Sequence, residues 1–248
     1  MSVLYILWLR QIKRYLRSKS RIIGSLGQPL LFLVSLGFGL GPIFQRAGQG
    51  NYIEFLAPGI IGMSIIFTSI FSGMEIIWDR QFGFLKETLV APVSRLNIML
   101  GRTLGGATVA ALQGLIVFFI SLFAGFRPFS WAYLPLAVLV MALIALLFTA
   151  MGTAIASLLD DVQGFQLIVN FLVMPLFFLS GALFPLEGLP KAIDIIARLD
   201  PLSYGIDALR VLLINVGHFG LATDLLVLSS VTLFFLFLGS YLFSKIQI

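Results

Sequence analysis

Six long apolar stretches constrain this chain more than any other feature, at about residues 22–44, 55–77, 103–126, 131–159, 162–183 and 225–243. Each is near the roughly 20 residues that cross a bilayer as a helix. Composition agrees, because 59% of the residues are hydrophobic and only 11% are charged. Soluble domains carry roughly 25% charged residues, so a chain of this kind could not cover a soluble surface with polar groups. The fold class expected is an all-α integral membrane protein. Six transmembrane helices are preceded by an amphipathic interfacial helix, and short external or re-entrant helices lie between spans five and six.

Residues 1–21 read as the interfacial helix. Leu4, Trp8, Ile12, Tyr15 and Leu16 fall on one stripe, and Arg10, Lys13, Arg14, Arg17 and Arg21 on another. This pattern predicts an aromatic face in the acyl boundary and cations at the lipid phosphates. Pro58-Gly59 opens the second span, Arg127-Pro128 makes a tight turn, Asp160 to Gln163 resembles a capping box, and Pro175 predicts a kink. Basic residues set the orientation. With the N-terminus in the cytoplasm, Arg10, Lys13, Arg14, Arg17, Lys19, Arg21, Arg80, Lys86, Arg95, Arg102 and Lys245 lie inside, eleven of the 16 cations. Arg46, Arg127, Lys191, Arg198 and Arg210, the other five, lie outside. Both termini are therefore expected in the cytoplasm.

Two connections are too apolar for free loops. Residues 79–102 hold Phe82, Phe84, Leu85, Lys86, Glu87 and Leu89, followed by a turn from Pro92 to Arg95. A short amphipathic helix at the membrane edge suits that mixture, and there a soluble partner could push on the membrane domain. On the outer side, residues 184–223 contain Pro185, Pro190 and Pro201, with Gly181 just before them. Two weak helical patterns include Tyr204 and Arg210, and we expect an outer lid shielded from lipid.

The stretches FLSGALFPLEGLP (178–190) and LDPLSYGIDALR (199–210) resemble the C-terminal signature of the ABC-2 type permeases. YIEFLAPGI (52–60) and KETLVAPVSRLNIMLGR (86–102) resemble the same family at its second span and following loop. These are membrane subunits of ATP-binding-cassette exporters, similar to daunorubicin-resistance and nodulation-factor permeases. The resemblance covers essentially the whole chain as one domain. It implies a type V exporter fold, a homodimer resting on two ATPase subunits, and efflux of an amphiphilic, glycan or lipid-type substrate, as in multidrug resistance. It implies the inner membrane of a prokaryote, and ATP and Mg in the partner rather than in this chain. It maps a connecting helix to about 4–19, a coupling helix to about 82–90, and re-entrant helices to about 186–213.

No G-x-x-x-x-G-K-[ST] loop occurs, so this chain is not expected to hydrolyse ATP or to be an enzyme. His218 is the only histidine, and a metal site is not expected. Glu75 lies inside a predicted span, where pairing with a neighbouring base is favoured over proton transfer. Phe67, Phe71, Asn170, Phe171, Met174 and Phe178 are candidate pathway residues, since Phe and Met give adaptable apolar contact. A self-sufficient secondary transporter or channel is the alternative, but it calls for more polar groups at mid-membrane than these spans supply.

Overall fold

The computed structural model describes residues 3–46, 50–90 and 93–246, apart from the side chains of Arg21, Lys86, Leu89 and Val90. The side chains of Lys86 and Leu89, and Pro92 as a whole, therefore lie outside what is described of the loop after the second span. The described elements are helical, with no strand among them. Helix α1 (Val3–Arg17) breaks at Ser18 before α2 (Lys19–Arg46), and α3 (Tyr52–Ser72) continues into α4 (Met74–Gln81). Next come α5 (Phe84–Val90), α6 (Arg95–Phe123), a 3-10 turn (Trp131–Tyr133) leading into α7 (Leu134–Leu158), and α8 (Val162–Leu179). The chain closes with α9 (Lys191–Leu199), α10 (Pro201–Ile214) and α11 (Leu221–Ser244). Among the described residues, six helical segments are long and apolar enough to cross a membrane: α2, α3 with α4, α6, the 3-10 turn with α7, α8 and α11. An even number of crossings puts α1 and the end of α11 at one end of the bundle, the termini end.

Caps, not hydropathy, decide where three of these helices begin. Asn51 accepts from Ile53 N at 3.1 Å, Ser94 from Asn97 N at 3.3 Å and Asp161 from Gly164 N at 2.5 Å. Each satisfies a donor that the first helical turn leaves unpaired. Residues 79–102 are consequently not one loop, as the charge run had suggested. Asp79 to Gln81 finish α4, and Arg95 to Arg102 form the first two turns of α6.

Helix α3 is the centre, with 72% of its apolar window buried inside the chain, against 17% for α2 and α11 and 22% for α8. Small residues bring its backbone against its neighbours, which is how helices gain contact where lipid competes for every apolar side chain. At the α3–α4 junction a Cβ on Gly73 would sit 2.4 Å from the Gly152 carbonyl oxygen of α7. Near the other end of α3 a Cβ on Gly59 would sit 2.3 Å from the carbonyl oxygen of Ala182.

Helix α1 departs from its expected placement. Its apolar stripe packs on α6 rather than entering the acyl boundary, with Leu7 and Tyr15 buried and only Leu16 of the stripe largely exposed, at 59%. Gly101 and Gly105 admit it closely: a Cβ on Gly105 would meet the Gln11 side chain at 2.7 Å. Polar bonds fix the register, Trp8 Nε1 donating to Thr108 Oγ1 at 3.1 Å and the Tyr15 hydroxyl donating to Gln113 Oε1.

At the end opposite the termini, α10 is buried against α3, α7 and α11, while α9 leaves Ile195, Ile196 and Leu199 exposed. Arg210 locks this region together. Its guanidinium lies 3.9 Å over the Phe55 ring and donates to the carbonyls of Gly181 at 2.6 Å and Ala182 at 3.3 Å. Burial pulls Arg210 down to about 10, with Asp207 and Tyr52 opposing, so it stays charged at neutral pH. The Tyr52 hydroxyl donates to Leu183 O at 2.8 Å, and Gly181 takes a left-handed turn (φ 74°) between α8 and this region.

Candidate coupling site at the termini end

The second span brings two carboxylates, one helical turn apart, to the termini end of the bundle. Glu75 and Asp79 on α4 are 3% and 7% exposed. Helix α1 meets them with two guanidiniums also one turn apart, and the pairing runs antiparallel. Arg10 Nη1 lies 3.5 Å from Asp79 Oδ2, and Arg14 Nη1 lies 3.4 Å from Glu75 Oε2. Helix α6 supplies a third, Arg102, 4% exposed, with Nη2 2.6 Å from the same Asp79 oxygen. Three helices thus converge on one ionic cluster, buried at Glu75, Asp79 and Arg102. Taking those three charges from water costs several kcal/mol per ion, so the fold tolerates them only while they remain paired. Arg10 and Arg14, 33% and 42% exposed, keep part of their hydration.

The short helix α5 joins the cluster through an aromatic ring. Gly83 adopts a left-handed conformation (φ 81°), which turns the chain sharply from α4 into α5. Phe84 then lies under Arg10, whose guanidinium carbon is 4.0 Å from the ring centroid. Leu85 is fully buried and anchors α5, whereas Phe82, at 83% exposure, and Glu87 face outward. Arg10 therefore contacts α4 through Asp79 and α5 through Phe84. A displacement of α5 would be felt at once by α1 and by both spans that hold the cluster.

Two further ties brace this end. Arg80 donates to Leu159 O at 3.3 Å and pairs with Asp160, joining α4 to the turn between α7 and α8. Arg95 donates to Ser244 O and, at 3.1 Å, to Ile246 O, joining the start of α6 to the end of the last span.

The profile of the ABC-2 type transporter family matches residues 2–214. The chain belongs to that family. It is 33% identical over 199 residues to nodulation protein J of Rhizobium leguminosarum bv. trifolii, covering 79% of this chain and 74% of that protein. Nodulation protein J of Rhizobium meliloti (strain 1021) is 31% identical over 219 residues, covering 87% of this chain and 83% of the relative. A protein named as the transport permease ycf38, from Cyanophora paradoxa, is 32% identical over 221 residues, with 84% and 73% covered. The chain is a multi-pass ABC-2 permease, a transmembrane transporter subunit, and the family implies an ATP-binding partner.

In this permease the other candidate residues separate into distinct places. Phe67 and Phe71 stack with centroids 6.4 Å apart and line a cavity between α2 and α3. Asn170, Phe171, Met174 and Phe178 share the exposed face of α8, Phe171 at 86% exposure. Within one chain these two groups do not share that cavity. Of the basic stripe, Arg10 and the exposed Arg14 reach the carboxylates of the ionic cluster, while Lys13 and Arg17 are exposed and outside it. Pro190 caps α9 and Pro201 starts α10, Pro185 lines a small cleft beside Arg210, and the Tyr204 hydroxyl donates to Arg198 O at 2.8 Å. The backbone N–H of His218 donates to Asp207 Oδ1 at 2.8 Å, a turn-stabilising contact.

Sequence reading paired Glu75 with a base but did not find which one, nor that Asp79 and Arg102 are buried partners. The signal was present as two turns of opposite charge, Arg10 with Arg14 and Glu75 with Asp79, both spaced four apart.

Proposed function

We propose that this permease is the membrane half of an exporter driven by ATP hydrolysis in a partner subunit. Both termini lie in the cytoplasm, as the excess of eleven cations over five at the termini end favours. The observation that carries the reading is the ionic cluster beneath α5. An exposed Phe82 and Glu87 offer a docking surface, and Phe84, Arg10 and Asp79 relay its position into spans two and three. A partner that pushes α5 at each cycle therefore has a rigid path into the bundle. The pairing of Glu75 with Arg14 supports this role over that of a proton carrier.

Two copies form the transporter in this reading. Asn170 is exposed on α8 in the midst of a span, together with Phe171 and Met174 and one turn beyond the exposed Gln166. Amide side chains left to hydrocarbon are costly, so this face is assigned to a second copy or to the pathway between copies. The cargo is an amphiphile that the Phe and Met side chains accommodate. The test uses the cysteine-free chain purified from native membranes. An ATP-hydrolysing subunit should co-purify, and Asn170→Cys should give a cross-linked dimer. Isolation of a lone chain, with Asn170→Cys labelled freely and no dimer formed, would overturn both parts.

A further inference from the structure

The exposed side of α1 carries charge that the coupling cluster leaves uncompensated. At the elbow where α1 breaks into α2, a cleft of about 910 Å³ is lined by Arg10, Lys13, Arg14, Arg17 and Lys19 and by no acid. Arg10 and Arg14 are engaged by Asp79 and Glu75. Among the described residues no carboxylate is set against Lys13, Arg17 or Lys19, and all three are exposed. Three unbalanced cations on a concave surface at a membrane boundary favour a phosphate-bearing ligand.

A second cavity, of about 250 Å³, opens on the α2 side of the same elbow, with Tyr15, Gln28, Met63, Phe67 and Phe71 in its wall. Phe71 is four residues from Glu75 and Phe67 eight, so by helical rise the cavity lies about 6–12 Å into the membrane from the cluster. Ser20, Gly24 and Gln28 recur every fourth residue, so one face of α2 runs from the first space to the second. Ser20 lines the basic cleft and Gly24 lines the cavity. A Cβ on Gly24 would meet nothing within 4 Å, so that face of α2 is uncovered at this point. Helix α2 has only 17% of its apolar window buried, which leaves this side accessible from the bilayer.

We propose that the α1–α2 elbow binds one acidic phospholipid of the surrounding bilayer. Lys13, Arg17 and Lys19 hold its phosphate, and an acyl chain runs over Gly24 to Phe67 and Phe71. The apolar wall of the cavity needs an apolar occupant at this depth, and the cation set selects the headgroup. Head and tail sites are thus spaced for a single molecule. The lipid completes the charge balance of α1 beside Arg10 and Arg14, which share the cleft and reach Asp79 and Glu75. This inference concerns a resident ligand of the chain, and it stands whether or not the exporter reading does.

The probe is 1-palmitoyl-2-oleoyl-phosphatidylglycerol, compared with the matching phosphatidylcholine. Lipids retained by the full chain from mixed micelles are counted by native mass spectrometry. A diazirine on the oleoyl tail maps where the chain inserts. One phosphatidylglycerol per chain is expected, with label on residues 63–71. The triple variant Lys13→Gln, Arg17→Gln and Lys19→Gln should weaken retention about a hundredfold, roughly fivefold for each cation. Gly24→Leu leaves all three cations in place but covers the α2 face between the two spaces, and it should abolish the label on residues 63–71. Equal retention of phosphatidylcholine, or an unchanged label in Gly24→Leu, would reduce the elbow to a surface for general adsorption and refute the proposal. Displacement of the lipid by equimolar glycerol phosphate would refute it too, because the tail would then contribute nothing. Carriage of the bound lipid across the membrane during ATP turnover by the whole transporter would make it cargo, and would overturn the resident-lipid assignment.

Discussion

Asp79→Asn should destabilise the chain far more than its size change warrants. The asparagine leaves Arg102, 4% exposed, opposite a neutral amide, with Arg10 still nearby. Removing one partner of a buried pair costs about 3–5 kcal/mol, because the remaining charge stays buried and uncompensated. Arg102→Met alone should cost less, about 1–3 kcal/mol, since Asp79 keeps Arg10 at 3.5 Å and that arginine is 33% exposed to water. The double variant removes the pair altogether and should fall within about 1 kcal/mol of the wild type. A coupling energy of about 3 kcal/mol or more follows. At roughly 2–4 °C per kcal/mol for a chain of this size, Asp79→Asn should melt about 6–20 °C low and the double variant should recover most of that loss. The assay is size-exclusion chromatography of the detergent-purified chain after stepwise heating. Additive losses in the double variant, or an Asp79→Asn midpoint within about 2 °C of wild type, would refute the claim that the cluster holds these helices together.

Other expectations follow from the opposite end. Gly59→Ala places a methyl 2.3 Å from the backbone oxygen of Ala182, which no rotamer change relieves; overpacking of this kind costs about 1–3 kcal/mol, whereas Gly24→Ala, with open space around it, should melt as wild type does. Arg210→Lys loses the planar contact with Phe55 and one or both carbonyl bonds, and the melting assay should read a loss of about 1–3 kcal/mol. Asp200 caps α10 while buried, and burial pushes its carboxyl from an ordinary 3.8 up to about 8, with the Leu202 N–H bond opposing. A raised folded-state value means that the contribution is present below about pH 4 and is lost as pH rises through about 8. Asp200→Asn keeps the cap and should flatten the pH dependence of melting in that window; an unchanged slope would remove Asp200 as its source.

Much of this fold is legible because hydropathy reports length. All six spans and the short helices α9 and α10 are readable from apolar runs, prolines and caps such as Asp161. The boundaries at 79–102 misled because charge was read as exposure. Helical hydrogen bonding continues through Arg95 to Arg102 regardless of polarity, and Arg102 is tolerated in the interior because a distant residue, Asp79, neutralises it. The placement of α1 was hidden for a similar reason. An aromatic stripe fits lipid and a glycine-lined helix equally well, and only the positions of Gly101 and Gly105 on α6 favour the second. Phe67 and Phe71 could be paired by spacing, but the cavity beside them depends on how α2 leaves the elbow, which no local pattern encodes.

The most direct test of the coupling account is co-purification of the ATP-hydrolysing partner with the Phe82→Glu variant. Phe82 is 83% exposed, so its replacement should leave the melting point of the isolated chain within about 2 °C of wild type. Loss of a central apolar anchor in a docking surface typically costs 2 kcal/mol or more, so recovery of the partner should fall at least about tenfold, with ATP-driven export falling in step. Undiminished recovery of the partner and undiminished export would contradict the claim that the turn from α4 into α5 is where the energy of ATP enters this permease.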